Sequence, residues 1–225
     1  MKTVYLVRHG KAASRDSEMP DFERTLIERG INDSHEVAER LRKQGVKPSL
    51  IISSPAARAI QTARIFAEHF KYPKKMIRTR KALYDQAENT LVEIIRSIDD
   101  ALDTVMLVGH DPSFSYFAGF LAKNFDKNLP TCGVIGIECK IQSWKDIDPV
   151  RGTKKIFDYP GAGTKSISYK LMKKQLVKNI RENIENSLQE LDADAAGKMN
   201  KSIKKASEKI ADEFILKVKK TTKNK

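Results

Sequence analysis

Hydrophobic positions along this chain follow two rhythms. Short uninterrupted runs, Thr3–Val7 (TVYLV), Ser49–Ser53 (SLIIS) and Thr104–Val108 (TVMLV), read as buried strands. A strand covered on both faces needs apolar residues at every position, not at alternate ones. Between the runs, apolar residues recur at the spacing that lines one side of a helix. One such stretch runs from Thr25 to Gln44 through Val37, Ala38 and Leu41, with Gly45 as its C-cap. Pro55 suits a first helical turn and leads into a second helix through Ile60, Ala63, Ile65 and Phe66. Further helices are predicted over Leu91–Ile98 and from Ser113 to about Asn124, and a short strand at Met76–Arg78. Val134–Ile141 and Lys154–Tyr159 read as strands at the sheet's edge. The alternation predicts an α/β fold, a three-layer α/β/α sandwich around a mostly parallel sheet.

Around Gly161–Gly163 the character changes. From Ser168 onward Met172, Leu176, Ile180, Ile184, Leu188 and Leu191 keep helical spacing. The stretch DADAAGK breaks the pattern near Gly197, and a second helix follows through Met199, Ile203, Ala206, Ile210, Phe214 and Val218. The chain is therefore expected to divide into a sheet-bearing domain over 1–165 and a C-terminal helical hairpin over 166–225.

Composition narrows the class. With 225 residues, 40% hydrophobic and 32% charged, the chain can bury one sizeable core plus an appendage. No apolar run approaches the roughly 18 residues of a membrane span. The N-terminal apolar stretch is only Val4–Val7 before Arg8 interrupts it, too short for a secretory signal. Cys132 and Cys139 are too few for a disulfide framework and form no CxxC pair, so a cytoplasmic setting is expected. The net charge of +13 points to an anionic partner. Residues 166–225 carry 15 Lys/Arg against 8 Asp/Glu, so over half of that excess sits in the tail. No aromatic platform accompanies those lysines, and nucleic acid is not expected. The amphipathic hairpin is expected to pack on its own domain or on a second copy, making a homo-oligomer.

The chemistry gathers where strands end. In an open α/β sheet, ligands collect at the carboxyl ends of the strands. Arg8, His9 and Gly10 end the first run; SSPAARA follows the second and puts Arg58 in the first turn of its helix; Gly109 and His110 end the third. Two guanidiniums and two imidazoles on one rim, near helix starts, suit a phosphoryl group. A neutral imidazole among cations can attack phosphorus, and Gly10, lacking Cβ, is expected to let a ligand approach closely. A metal centre is not favoured, because HxxxH spacing and a carboxylate pair beside it are missing.

The segments VRHGKA, SSPAARAIQTA and LVGHDPS resemble the histidine phosphatase superfamily, with its phosphoglycerate-mutase-like fold. ERTLIERG resembles the SixA-type branch, which includes phosphohistidine phosphatases. The resemblance covers roughly Met1 to Tyr169. It implies that His9 is the phosphorylated nucleophile and that Arg8, Arg58 and His110 form the phosphate pocket, with Arg24 facing the same pocket. It implies hydrolysis without metal or cofactor, of protein phosphohistidine or a small phosphoester. The LYD stretch offers Asp85 as the general acid, with Glu88 as a nearby substitute. Two other readings stand beside the phosphatase. One is a non-catalytic module that binds a phosphorylated partner and uses the tail for interaction. The other is a mutase, disfavoured because the chain lacks long insertions that would close over a substrate.

Overall fold

Strands form where the uninterrupted apolar runs predict them. The computed structural model describes residues 1–14, 19–85, 90–122, 125–149, 152–162, 164–191 and 200–223. Its first compact unit is Met1–Pro160 and its second Gly161–Lys225. The first unit holds strands β1 (Lys2–Arg8), β2 (Leu50–Ser53), β3 (Arg78–Thr79), β4 (Thr104–Gly109), β5 (Val134–Cys139) and β6 (Gly152–Asp158), in the order β3-β2-β4-β1-β5-β6. Its helices are α1 (Glu28–Lys43), α2 (Ala57–His69), α3 (Ala82–Asp85), α4 (Thr90–Arg96) and α5 (Ser113–Leu121).

Neighbouring residues of one strand serve opposite layers. Val4, Leu6, Leu50, Ile52, Val105 and Leu107 pack with Ile94, Ile95, Phe114 and Phe117 of α4 and α5. Tyr5, Val7, Ile51, Met106 and Val108 pack with Val37, Leu41, Ala63 and Phe66 of α1 and α2. Both faces are buried, which is why the strand sequences show no polar alternation. Burying each such side chain contributes about 1.5–3 kcal/mol.

Several boundaries differ from the sequence expectation. Helix α1 starts at Glu28, not Thr25, because the backbone before it is engaged elsewhere. Leu26 bridges Ala12, Ala13 N donates to Thr25 O, and Ile27 N donates to Lys11 O. The third strand falls at Arg78–Thr79, since Lys74–Met76 closes a 3₁₀ turn. Helix α5 ends at Leu121 because Ala122 bridges Gly152; residue 124 of the expected helix lies outside the described residues. Of the two strands expected at the sheet's edge, only β6 lies there; β3 forms the opposite edge. β5 lies inside the sheet, antiparallel to both β1 and β6, and Gly136 opposite Tyr5 leaves room for the phenol ring.

The second unit consists of α6 (Thr164–Leu191) and α7 (Asn200–Lys223). Ile203, Ser207, Ala211 and Ile215, four residues apart, are buried, and Lys173 pairs with Asp212 at 2.6 Å. The DADAAGK break lies outside the described residues. Among the described residues, no helix is long and apolar enough to cross a membrane.

Candidate active site

Parallel register brings the strands to a common end. Arg8 of β1 pairs with Gly109 of β4, so His9 and His110 leave the sheet side by side, ring centroids 5.1 Å apart and edge to face. Ser53 of β2 pairs with Val108, and Ser54 N donates to Val108 O at 2.9 Å. Ser54 Oγ then shares a 2.9 Å hydrogen bond with His110 Nε2. Arg58 follows in the first turn of α2 and is 5% exposed.

The tautomer of His9 follows from its hydrogen bonds. His9 Nδ1 lies 2.7 Å from Gly10 O, and a carbonyl oxygen only accepts. Nδ1 therefore carries the proton and Nε2 holds the lone pair. Arg58 Nε donates to that Nε2 at 3.2 Å. Burial pushes the His9 pKa down from 6.5 to about 4; the Gly10 carbonyl opposes the shift, and Arg58, Arg8 and Arg24 add to it. His110 is driven to about 3, by burial first and then by His9 and Arg58. Both rings are neutral at pH 7.

Arg8 Nη1 donates to Leu129 O at 2.6 Å. Arg8 Nε, closed off from solvent, has no hydrogen-bond partner among the described residues. Such a donor costs about 1–3 kcal/mol until an acceptor meets it. Arg24 is 7% exposed and donates through Nη1 to Ala13 O at 2.7 Å. A cleft of about 660 Å³ is walled by Arg8, His9, Lys11, Arg24, His110 and Asp111, among others. Three cations and two neutral rings around one cleft, with Arg58 against His9 beside them, can hold a phosphoryl group and attack it. Among the described residues, no three His, Cys, Asp or Glu side chains gather where they could hold a metal ion.

The expectation for Gly10 changes. The room left by Gly10 goes to packing: a Cβ there would stand 2.7 Å from Gly30 O and 2.9 Å from Ser34 Oγ, so the glycine seats the turn against α1. Asp85 is exposed at the end of α3 and is not among the cleft walls. Glu88 lies outside the described residues.

Other groups at the site went unassigned in the sequence. Tyr84, one residue before Asp85, stacks edge-on against His110 with centroids 5.6 Å apart and donates to Asp21 Oδ2 at 3.0 Å. Burial, then the bond to Asp21, raises the Tyr84 pKa above 10.0 and keeps it a donor. Asp21 Oδ2 also accepts from Arg58 Nη2 at 2.9 Å, and its Oδ1 accepts from Arg24 Nε at 3.1 Å. Burial works to raise the Asp21 pKa, but the bonds from Arg24, Arg58 and Tyr84 prevail and hold the carboxyl far below its usual range. Thr62 Oγ1 accepts from Gly10 N at 3.0 Å, and Gln61 Oε1 accepts from Leu26 N at 2.7 Å. Both lie within the SSPAARAIQTA motif, where they moor the two loops that carry His9 and Arg24. The only sequence signal for Asp21 is its place three residues before Arg24 in DFERTL.

Comparison with known proteins covers the same unit. Residues 4–110 match the model of the histidine phosphatase superfamily, branch 1. An uncharacterised protein of Picosynechococcus sp. is 31% identical over 151 residues, 64% of this chain and 90% of that one. A solved chain of Agrobacterium tumefaciens, assigned as the phosphohistidine phosphatase SixA, is 27% identical with a TM-score of 0.59, over 71% of this chain and 99% of its own. The protein histidine phosphatase SixA, solved in complex with tungstate, shares the fold at 20% identity and a TM-score of 0.57, over 70% of this chain and 97% of its own.

Proposed function

Since this chain belongs to the histidine phosphatase superfamily, on its SixA-like side, and is a phosphatase, we propose that it works through a phosphohistidine formed on His9, without a metal ion. His9 Nε2 attacks phosphorus in line with the leaving group. The bond from phosphorus to the leaving oxygen or nitrogen breaks, and its electron pair departs with the leaving group, which takes a proton. Water then attacks phosphorus, releasing phosphate and restoring the neutral imidazole. Arg8, Arg58, His110 and Arg24 bind the non-bridging oxygens and offset the charge that builds on them. Arg8 Nε, buried and unpartnered, is the donor best suited to a new oxygen.

The observation that carries the reading is the 2.7 Å bond from His9 Nδ1 to Gly10 O, because it leaves Nε2 unprotonated, with its lone pair turned to the arginines. The substrate we favour is a protein phosphohistidine or a small phosphoester in the cytoplasm. A phosphohistidine leaving group asks little of a proton donor, which suits a cleft whose walls do not include Asp85. The machinery is assigned to residues 1–165, and 166–225 to a helical accessory through which two copies pair.

Labelling decides it. His9→Ala is expected to lose phosphate release from both a phosphohistidine peptide and p-nitrophenyl phosphate while keeping its fold. Quenched wild-type protein should carry acid-labile phosphate on His9. Label on another residue, or activity retained in the variant, refutes the assignment.

A further inference from the structure

Arg58 and Arg24 already grip an anion here, and that anion is the protein's own. Asp21 Oδ2 accepts from Arg58 Nη2 at 2.9 Å and from the Tyr84 hydroxyl at 3.0 Å. Asp21 Oδ1 accepts from Arg24 Nε at 3.1 Å and from Arg24 Nη2. The Asp21 backbone carbonyl takes Arg58 Nη1, and Arg58 Nε points at His9 Nε2 from 3.2 Å. One acid thus binds both guanidiniums and keeps Arg58 over the nitrogen that is to attack. Arg58 is accordingly absent from the cleft walls, although Arg8, His9, Arg24 and His110 form them.

The acid itself is poorly confined. Its side chain is 45% exposed and stands on a three-residue 3₁₀ turn, Asp21–Glu23, whereas the Arg58 side chain is 6% exposed. A carboxylate at the surface can turn into water, which solvates the charge it withdraws from the guanidiniums.

We propose that Asp21 is a displaceable latch: a terminal phosphoryl group binds by replacing the Asp21 carboxylate on Arg58 and Arg24, and that exchange frees His9 Nε2 for attack. The proposal rests on the phosphatase reading of this site. It also fixes what a ligand must bring. A competitor has to satisfy two guanidiniums that a carboxylate holds through both oxygens. A terminal phosphoryl group has three free oxygens and two charges, and meets that demand. A phosphodiester, with two free oxygens and one charge, offers no more than Asp21 does. The latch therefore selects for terminal phosphoryl groups and keeps the nucleophile covered until one arrives.

The test is calorimetric titration of the full chain with inorganic phosphate, which needs no turnover. Asp21→Asn keeps the side chain's size and loses its charge. It is expected to bind phosphate about tenfold tighter, the factor for a latch closed in roughly ten molecules of every eleven. Tyr84→Phe removes one donor to the latch and is expected to tighten phosphate by a smaller factor; it carries the test alone if Asp21→Asn does not fold. With p-nitrophenyl phosphate, the KM of Asp21→Asn should fall while kcat does not rise. A residue that merely braced the arginines would give the opposite sign. Equal or weaker phosphate binding in Asp21→Asn, with wild type still binding, overturns the latch and leaves the phosphatase reading standing. If wild type binds no phosphate and Arg58→Ala is indistinguishable from it, the reading of the site falls, and the latch with it.

Discussion

His9 and His110 are carried by the sheet, while Asp21 and Tyr84 are carried by the connecting segments beside it, a 3₁₀ turn and the four-residue helix α3, and the two pairs meet under different constraints. The histidines follow paired positions of β1 and β4, and each backbone is bonded into the rim: His9 N donates to Gly109 O at 3.0 Å, and His110 O accepts from Phe114 N at 3.3 Å. Asp21 and Tyr84 have no such ladder. Each is held by the side chains it meets, chiefly Arg58 and Arg24 for Asp21, and His110 and Asp21 for Tyr84. Paired strand ends hold the two imidazole rings 5.1 Å apart. Loops hold the groups that exchange partners.

If that division is right, the largest effect after loss of His9 itself comes from Arg58, where the two regions touch. Its guanidinium faces His9 with one nitrogen and Asp21 with the others. Removing a preorganised donor from a charge-developing site costs about 3–4 kcal/mol in the transition state, a few hundredfold in rate. Arg58→Ala is expected to show that loss in kcat/KM, and Arg58→Lys to recover little of it, since an ammonium lacks the bidentate fork. A lysine variant with near-native turnover would place Arg58 outside the reacting group and break the comparison at its junction.

A smaller effect is carried by protons. Folded His9 and His110 titrate near about 4 and about 3, pushed down from 6.5 chiefly by burial. As pH falls from 6.5 toward about 4, the unfolded chain takes up protons that the folded chain refuses, so stability falls over that window. Above 6.5 both states hold neutral rings, and these two groups contribute no slope. Urea denaturation at pH 7 and pH 5 is expected to show the lower midpoint at pH 5, and proton NMR should show two histidine rings that do not titrate between those values. If every ring titrates near 6.5, the strand-end pair is open to water and the rigid half of the comparison fails.

The same division explains what the sequence disclosed. TVYLV, SLIIS and TVMLV are legible because burial on both faces forbids polar residues, and their ends announce the chemistry through RHG, SSPAAR and VGH. Arg24 was reachable through ERTLIERG. Asp21 was not, because its role comes from contacts with Arg58 and Tyr84, 37 and 63 residues away in the chain. Periodicity also misplaced the start of α1, since TLI fits a helical face as well as the bridge to Ala12 that it makes. The orientation of β5 was equally hidden: an apolar run has the same composition whichever way it is paired.

The smallest expected effect concerns Asp85, and it sharpens the loop half of the comparison. Adjacent residues on a helix do not share a face. Tyr84 of α3 turns its ring to His110, and Asp85, the next residue, is exposed. A working general acid contributes about a hundredfold to ten-thousandfold, and most where the leaving group is poor. Asp85→Asn is therefore expected to change kcat by less than about threefold on p-nitrophenyl phosphate, and by no more on phenyl phosphate, whose leaving group is the poorer one. A loss of a hundredfold confined to phenyl phosphate would mean that α3 turns to present Asp85 during turnover. Proton donation would then belong to the loops as well, and the sheet would hold only the nucleophile and part of its clamp.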